Sequence, residues 1–241
     1  MLTEAGRIAL AYADTIVGAG NELVATLREG RRQERQVLRI GAVATLSRNF
    51  QRGFVAPLVG RPDVELVLQS GSLGELLARL GAHTLDLVLS NRRVQEDAGA
   101  AWRCRRIARQ QVSLVGPPQR GTLFRFPDDL ARVPLVLPSR DSEIRGAFDV
   151  LCEQYGLRVN VAAEVDDMAM LRLIARDSAA VALVPAVVVI DELRSGVLEE
   201  YAAVPNVYEE FYAISVRRQY QHPLVPPLIE QAAAAVLAVP G

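Results

Sequence analysis

The chain contains no lysine: its 27 basic side chains are all arginine, set against 28 Asp and Glu residues for a formal net charge of −1. A balance this close to zero excludes a surface that grips a nucleic-acid backbone by charge, because phosphate binding leaves a clear basic footprint. Cysteine is scarce as well. Cys104 and Cys152 fit neither a redox pair nor a zinc-binding spacing and read as buried thiols. Of the two histidines, His83 lies in a Gly-Ala-His-Thr turn and His222 precedes Pro223. G-x-S-x-G, H-E-x-x-H, Walker and G-x-G-x-x-G motifs are all missing, so the chain reads as a non-enzyme that needs no cofactor or metal. Apolar runs such as Ala186 to Ile190 and Ala232 to Val239 are far short of the ~20 residues that span a bilayer. The first twenty residues carry Glu4, Arg7 and Asp14 and lack a secretory pattern. A cytoplasmic protein without a membrane partner is expected.

What is present is an apolar half of 241 residues, enough for one to two domains at roughly 150 residues each. Val37 to Val43 reads as a strand whose exit, Ala44-Thr45-Leu46-Ser47, runs into Phe50, Phe54 and Leu58 at helical spacing, with Thr45 as the expected cap. Val64 to Ser70 leads through Gly71-Ser72 into Leu73, Leu76, Leu77 and Leu80, with Ser72 as cap. Leu85 to Leu89 ends at Ser90-Asn91. Three strands alternating with two helices imply an α/β fold with a parallel, doubly wound sheet, which binds ligands beyond its strand ends.

The plan repeats downstream. Pro134 to Leu137 exits at Pro138-Ser139-Arg140-Asp141 into a helix stopped by Gly156. Val159 to Val165 exits at Asp166-Asp167 into a second helix, and Ala180 to Val184 is a further strand. Between the units, Trp102 to Ile107 and Gln111 to Val115 read as two strands, with Gly116-Pro117-Pro118 as a hinge. Tyr208 to Val216 reads as a long strand, and a helix from Pro223 through Leu237 returns to the first unit. The expected organisation is a linker or dimerisation helix over 1–30, a charged linker over 31–36, lobe I over 37–117 plus 207–241, and lobe II over 118–206. The N-terminal helix carries an apolar stripe at Ala9, Tyr12, Ile16, Ala19, Leu23 and Leu27, which either meets a partner helix or packs on its own domain.

Two lobes joined by two crossings, of the periplasmic-binding-protein type, leave a cleft walled by strand ends. Polar groups at those exits are Thr45, Ser47, Ser70, Ser72, Ser90, Asn91, Ser139, Arg140, Asp166 and Asp167. Each has a capping alternative, since a Ser, Thr or Asp before a helix satisfies free N–H groups. Helix starts with Arg140 nearby favour a carboxylate or similar anion. Asp166 and Asp167 instead suit capping, pairing with Arg140, or a cation.

The order of an N-terminal helix with Leu2 to Arg7 at its start, the Leu38-Arg39-Ile40-Gly41 strand, the Leu85 to Leu89 strand, hinge, second lobe and returning helix resembles the effector-binding domain of LysR-type transcriptional regulators. Leu137 to Arg140, Glu164 to Asp167 and Tyr208 to Ile214 look most like the subgroup that activates sodium/proton antiporter genes. The resemblance implies a homodimer or homotetramer, an organic anion, sodium or pH as the signal, and DNA contact only through a winged helix-turn-helix domain ahead of Met1. It implies an effector cleft lined by Thr45, Leu46, Ser47, Ser90, Ser139, Arg140 and the strand end at Val184. The alternatives are a solute-binding protein of a transporter and a two-lobed enzyme. The absent export signal weighs against the first, and the absent nucleophile or base against the second.

Overall fold

The computed structural model describes residues 35–95, 102–119, 124–216 and 222–235, with isolated positions between Thr3 and Val24. The helix expected over Thr3–Arg28 apart from those positions, the linker up to Glu34, and the final helix beyond 235 lie outside the described residues. Strands β1 (Gln36–Val43), β2 (Val64–Gly71) and β3 (Leu87–Ser90) run parallel, connected by helices α1 (Arg48–Val55) and α2 (Leu73–Gly81). Gln36, expected in the linker, already pairs with Val64. Strands β5 (Pro134–Pro138), β6 (Asn160–Val165) and β7 (Val181–Pro185) repeat the parallel plan with α3 (Glu143–Gln154) and α4 (Met168–Asp177). A short α5 (Ile190–Ser195) and the returning α6 (Val225–Ala235) follow, with single 3-10 turns at Leu130–Arg132 and Ala186–Val189.

Two long strands, β4 (Trp102–Gly116) and β8 (Glu199–Val216), turn these units into one mixed sheet of order β2-β1-β3-β8-β4-β7-β5-β6. The two strand segments expected between Trp102 and Val115 are therefore one, and the strand expected from Tyr208 begins at Glu199. The polar stretch Arg109-Gln110-Gln111 broke the apolar pattern, but antiparallel ladder bonds to β8 carry the strand through it. Gly116-Pro117-Pro118 ends β4. The passage between lobes lies earlier: Ile107 joins the first apolar core and Val112 the second, while on β8 Val207 belongs to the second and Phe211 to the first. The ladder shifts register between Arg106 and Ala108 and again between Gln111 and Ser113. Such bulges bend a strand and sharpen its twist.

The first core is centred on Phe50, whose ring lies 4.1 Å from that of Phe211, and α6 adds Val225, Leu228 and Ile229 to it. The second gathers Phe148, Leu171 and Leu183. Away from β4 and β8 the lobes also touch where Asn49 Nδ2 donates to the Val188 carbonyl at 3.2 Å and Arg52 meets Asp191 at 3.3 Å. Arg145, buried in α3, is held by Asp149 at 2.8 Å, the Pro138 carbonyl at 3.2 Å and Glu164 at 3.4 Å, and so ties α3 to the ends of β5 and β6.

Gly41 on β1 shows how tightly the first core closes. A Cβ there would sit 2.8 Å from both Leu76 Cδ2 and Leu85 Cδ1, inside van der Waals contact. Gly41→Val is expected to lower the unfolding free energy by about 1–3 kcal/mol through overpacking, read as a lower urea midpoint at unchanged slope. An unchanged midpoint would mean that α2 moves away freely.

Candidate functional site: a cavity between the lobes

Strand exits and helix starts from both lobes enclose a cavity of about 350 Å³, within the range of small-molecule sites. Lobe I contributes Thr45 after β1, Ser72 and Leu73 at the start of α2, and Asn91 after β3. Lobe II contributes Ser139, Ser142 and Glu143 between β5 and α3, with Asp166 and Met168 leading into α4. The third face is β8 itself. Tyr208, Glu209 and Glu210 line the cavity and pair with Gln111, Gln110 and Arg109, the stretch of β4 between its first two register shifts.

Of the residues expected at the cleft, Thr45, Ser72, Asn91, Ser139 and Asp166 are brought together around this cavity. The others lie elsewhere, each for a local reason. Ser47, and not Thr45, caps α1 by accepting from the Phe50 N–H at 3.3 Å, which leaves Thr45 to face the cavity. Leu46 and Val184 are buried in the first and second cores. Ser70 accepts from Arg48 Nη1 at 2.9 Å, and the Ser90 hydroxyl is closed on the backbone of Arg92. The Arg140 guanidinium points to solvent and only reaches Glu164 at 3.8 Å. Ser72 caps α2 as expected, in a capping box with Glu75, and Asp167 caps α4 through the Ala169 N–H.

Glu209 is the group the sequence reading missed. Its side chain is buried, Oε1 accepts from Asn91 Nδ2 at 2.8 Å, and Oε2 has no hydrogen-bond partner among the described residues. The Thr45 hydroxyl donates to Asn91 Oδ1 at 3.3 Å, so a polar chain runs Thr45, Asn91, Glu209 from lobe I to β8. Burial pushes the Glu209 carboxyl up to about 7; the Asn91 hydrogen bond opposes this and the charge of Glu143 adds to it. Glu210 has the opposite environment. Hydrogen bonds from Tyr212 and Arg106, with Arg109 nearby, hold it below its ordinary value. The signal that could have revealed this contrast is a pair of adjacent acids, Glu209-Glu210, inside the mainly apolar run Tyr208 to Val216.

Neither half-buried Cys104 nor buried Cys152 forms a disulfide, and the Cys152 thiol is pushed up to about 11, chiefly by burial. That is the environment of an unreactive thiol. Among the described residues no group of three or more metal-ligating side chains converges.

Glu209 makes a pH dependence testable. Its carboxyl titrates near 4.5 in an unfolded chain and near 7 in the fold, so the fold holds an extra proton between those values. Stability from this group is complete below the lower value and is lost as pH rises through the upper one. Glu209→Gln keeps the acceptor for Asn91 and removes the charge. At about pH 8 it is expected to exceed the parent in unfolding free energy by on the order of 1–3 kcal/mol, a gap that narrows toward pH 5. Denaturant titrations at the two pH values measure it, and equal stabilities at the higher pH would show an ordinary carboxylate.

Comparison with known proteins agrees with this architecture. The chain is 25% identical over 226 residues to the transcriptional activator protein NhaR of Escherichia coli, a stretch covering 92% of this chain and 74% of that protein. The apo regulatory domain of HypT from Salmonella typhimurium superposes with a TM-score of 0.60 at 16% identity, covering 82% of this chain and 91% of that one. HinK, a LysR family transcriptional regulator from Pseudomonas aeruginosa, gives 0.62 at 18% identity, covering 96% and 82%. The two structures establish the shared two-lobed fold. Residues 31–236 match the family described as the LysR substrate binding domain, and a match over most of the sequence means that the chain belongs to that family, the effector-binding part of LysR-type transcriptional regulators.

Proposed function

We propose that this domain senses a small effector in the inter-lobe cavity, without turning it over, and passes the signal to the transcriptional machinery of its parent regulator. One observation carries the reading: the cavity is assembled from strand exits of both lobes and from β8, the strand that runs through both. A ligand there touches both lobes and the segment joining them, so it stabilises one relative placement of the lobes over another. LysR regulators bind DNA as well as effectors and usually oligomerise. The net charge of −1 supports DNA contact through a separate domain. The exposed apolar side chains of Ile16, Val17, Leu23 and Val24 support a homodimer or homotetramer formed through the N-terminal segment. The cytoplasm fits such a regulator, and no helix among the described residues is long and apolar enough to cross a membrane. By its likeness to NhaR the parent protein acts as an activator.

Thermal denaturation against a library of charged and neutral small molecules tests this reading. A ligand at a hundredfold excess over its dissociation constant is expected to add about 2.7 kcal/mol of stability, and Ser139→Trp, which fills the cavity, is expected to abolish the gain. A ligand whose effect survives that substitution binds elsewhere, and the proposal fails.

A further inference from the structure

The walls of the cavity do not suit the anion that helix starts usually attract. Each of the three helices that begin there carries an acid of its own: Glu75 accepts from the Ser72 N–H and hydroxyl, Asp167 from the Ala169 N–H, and Glu143 opens α3. The helix N-termini have been answered from within the protein. Around the rest of the lining, Asp141, Glu143 and Asp166 form no ion pair among the described residues, and Arg92 is the lining's one arginine. Glu210 is already engaged by Arg106 and Tyr212. Glu209 is not. It is 5% exposed, and one of its carboxylate oxygens has no hydrogen-bond partner among the described residues, an arrangement whose cost is removed when a donor arrives.

From this geometry we infer that the effector carries a protonated amine on an apolar body, and that Glu209 is the carboxylate that receives the ammonium. The inference rests on the reading of the cavity as the effector site. An ammonium offers three donors and a charge; Oε2 of Glu209, out of reach of solvent in this structure, meets them once the carboxylate turns toward the cavity that its residue lines. The unpaired acids at the rim concentrate a cation in a pocket with low-dielectric walls. Val43, Leu73, Ile144, Met168 and Tyr208 supply the apolar surface for the remainder of the molecule. A divalent ion fits less well, because no three metal-ligating side chains converge among the described residues. Burial already holds Glu209 near 7, the condition of a carboxyl short of a counter-ion.

Matched probes separate the charge from the body. Phenethylamine, phenethyl alcohol and 3-phenylpropionate share a ring and a two-carbon arm, as do hexylamine, hexanol and heptanoate a straight chain. In titration calorimetry and thermal shift on this chain, the amines are expected to bind and raise Tm, and the alcohols and acids are not. Glu209→Gln is expected to weaken the amines by at least about tenfold with the fold intact by circular dichroism. Glu143→Gln, at an exposed helix start, is expected to weaken them severalfold and guards against a folding defect in the first variant. Acids or alcohols binding as well as the amines, or full amine affinity in Glu209→Gln, overturns the ligand class while leaving a sensing cavity in place. A response to sodium chloride alone, without one to the amines, overturns it too. Silence from every class removes the sensing reading along with it.

Discussion

The antiparallel ladder between β4 and β8 is the interaction on which the rest of this structure depends. Each strand belongs to both lobes, and each changes core within a few residues, between Ile107 and Val112 on one and between Val207 and Phe211 on the other. The three parallel strands of either lobe present no edge to those of the other; they meet only through this pair. Its bulges concentrate the bending into a short stretch, and the side chains of β8 in that stretch line the cavity. The bent stretch and one wall of the cavity are thus the same residues, which is the geometry that the proposed sensing role relies on.

The polar interior of the cavity divides its labour by environment. Glu209 and Glu210 are adjacent and chemically identical, yet one is buried with a single donor and the other is surrounded by Tyr212, Arg106 and Arg109. Burial raises the first, and donors lower the second. The two environments thus push the proton affinities of neighbouring carboxylates in opposite directions. Asn91 joins this pair to lobe I, because it donates to Glu209 while accepting from Thr45.

Much of the fold was legible in the sequence, and the reason is periodicity. Phe50 and Phe54, Leu76 and Leu80, and Phe148 with Leu151 are the buried stripes of their helices, and Ser72 with Glu75 spells its cap openly. The site was less legible because strand exits give position without direction. Leu46, Ser90 and Val184 do stand at exits, but their side chains turn into core or backbone. Thr45 and Ser47 are both capping residues two apart, and only the path of the chain after β1 decides which of them caps. Glu209 was hard to read for a different reason: beyond the adjacent-acid signal, its burial depends on Asn91 and α3, distant in sequence, and an acid in a strand ordinarily faces water.

The arginine-only composition has a consequence for how this domain experiences alkalinity. Arg145 buried against Asp149 and Glu164, Arg172 on Glu192, and Arg52 bridging to Asp191 are ion pairs built on a planar guanidinium and not on an ammonium. Lysine in their place would begin to fall silent in mildly basic water. Without lysine, no lysine ammonium of the framework titrates beside the buried acid in the cleft.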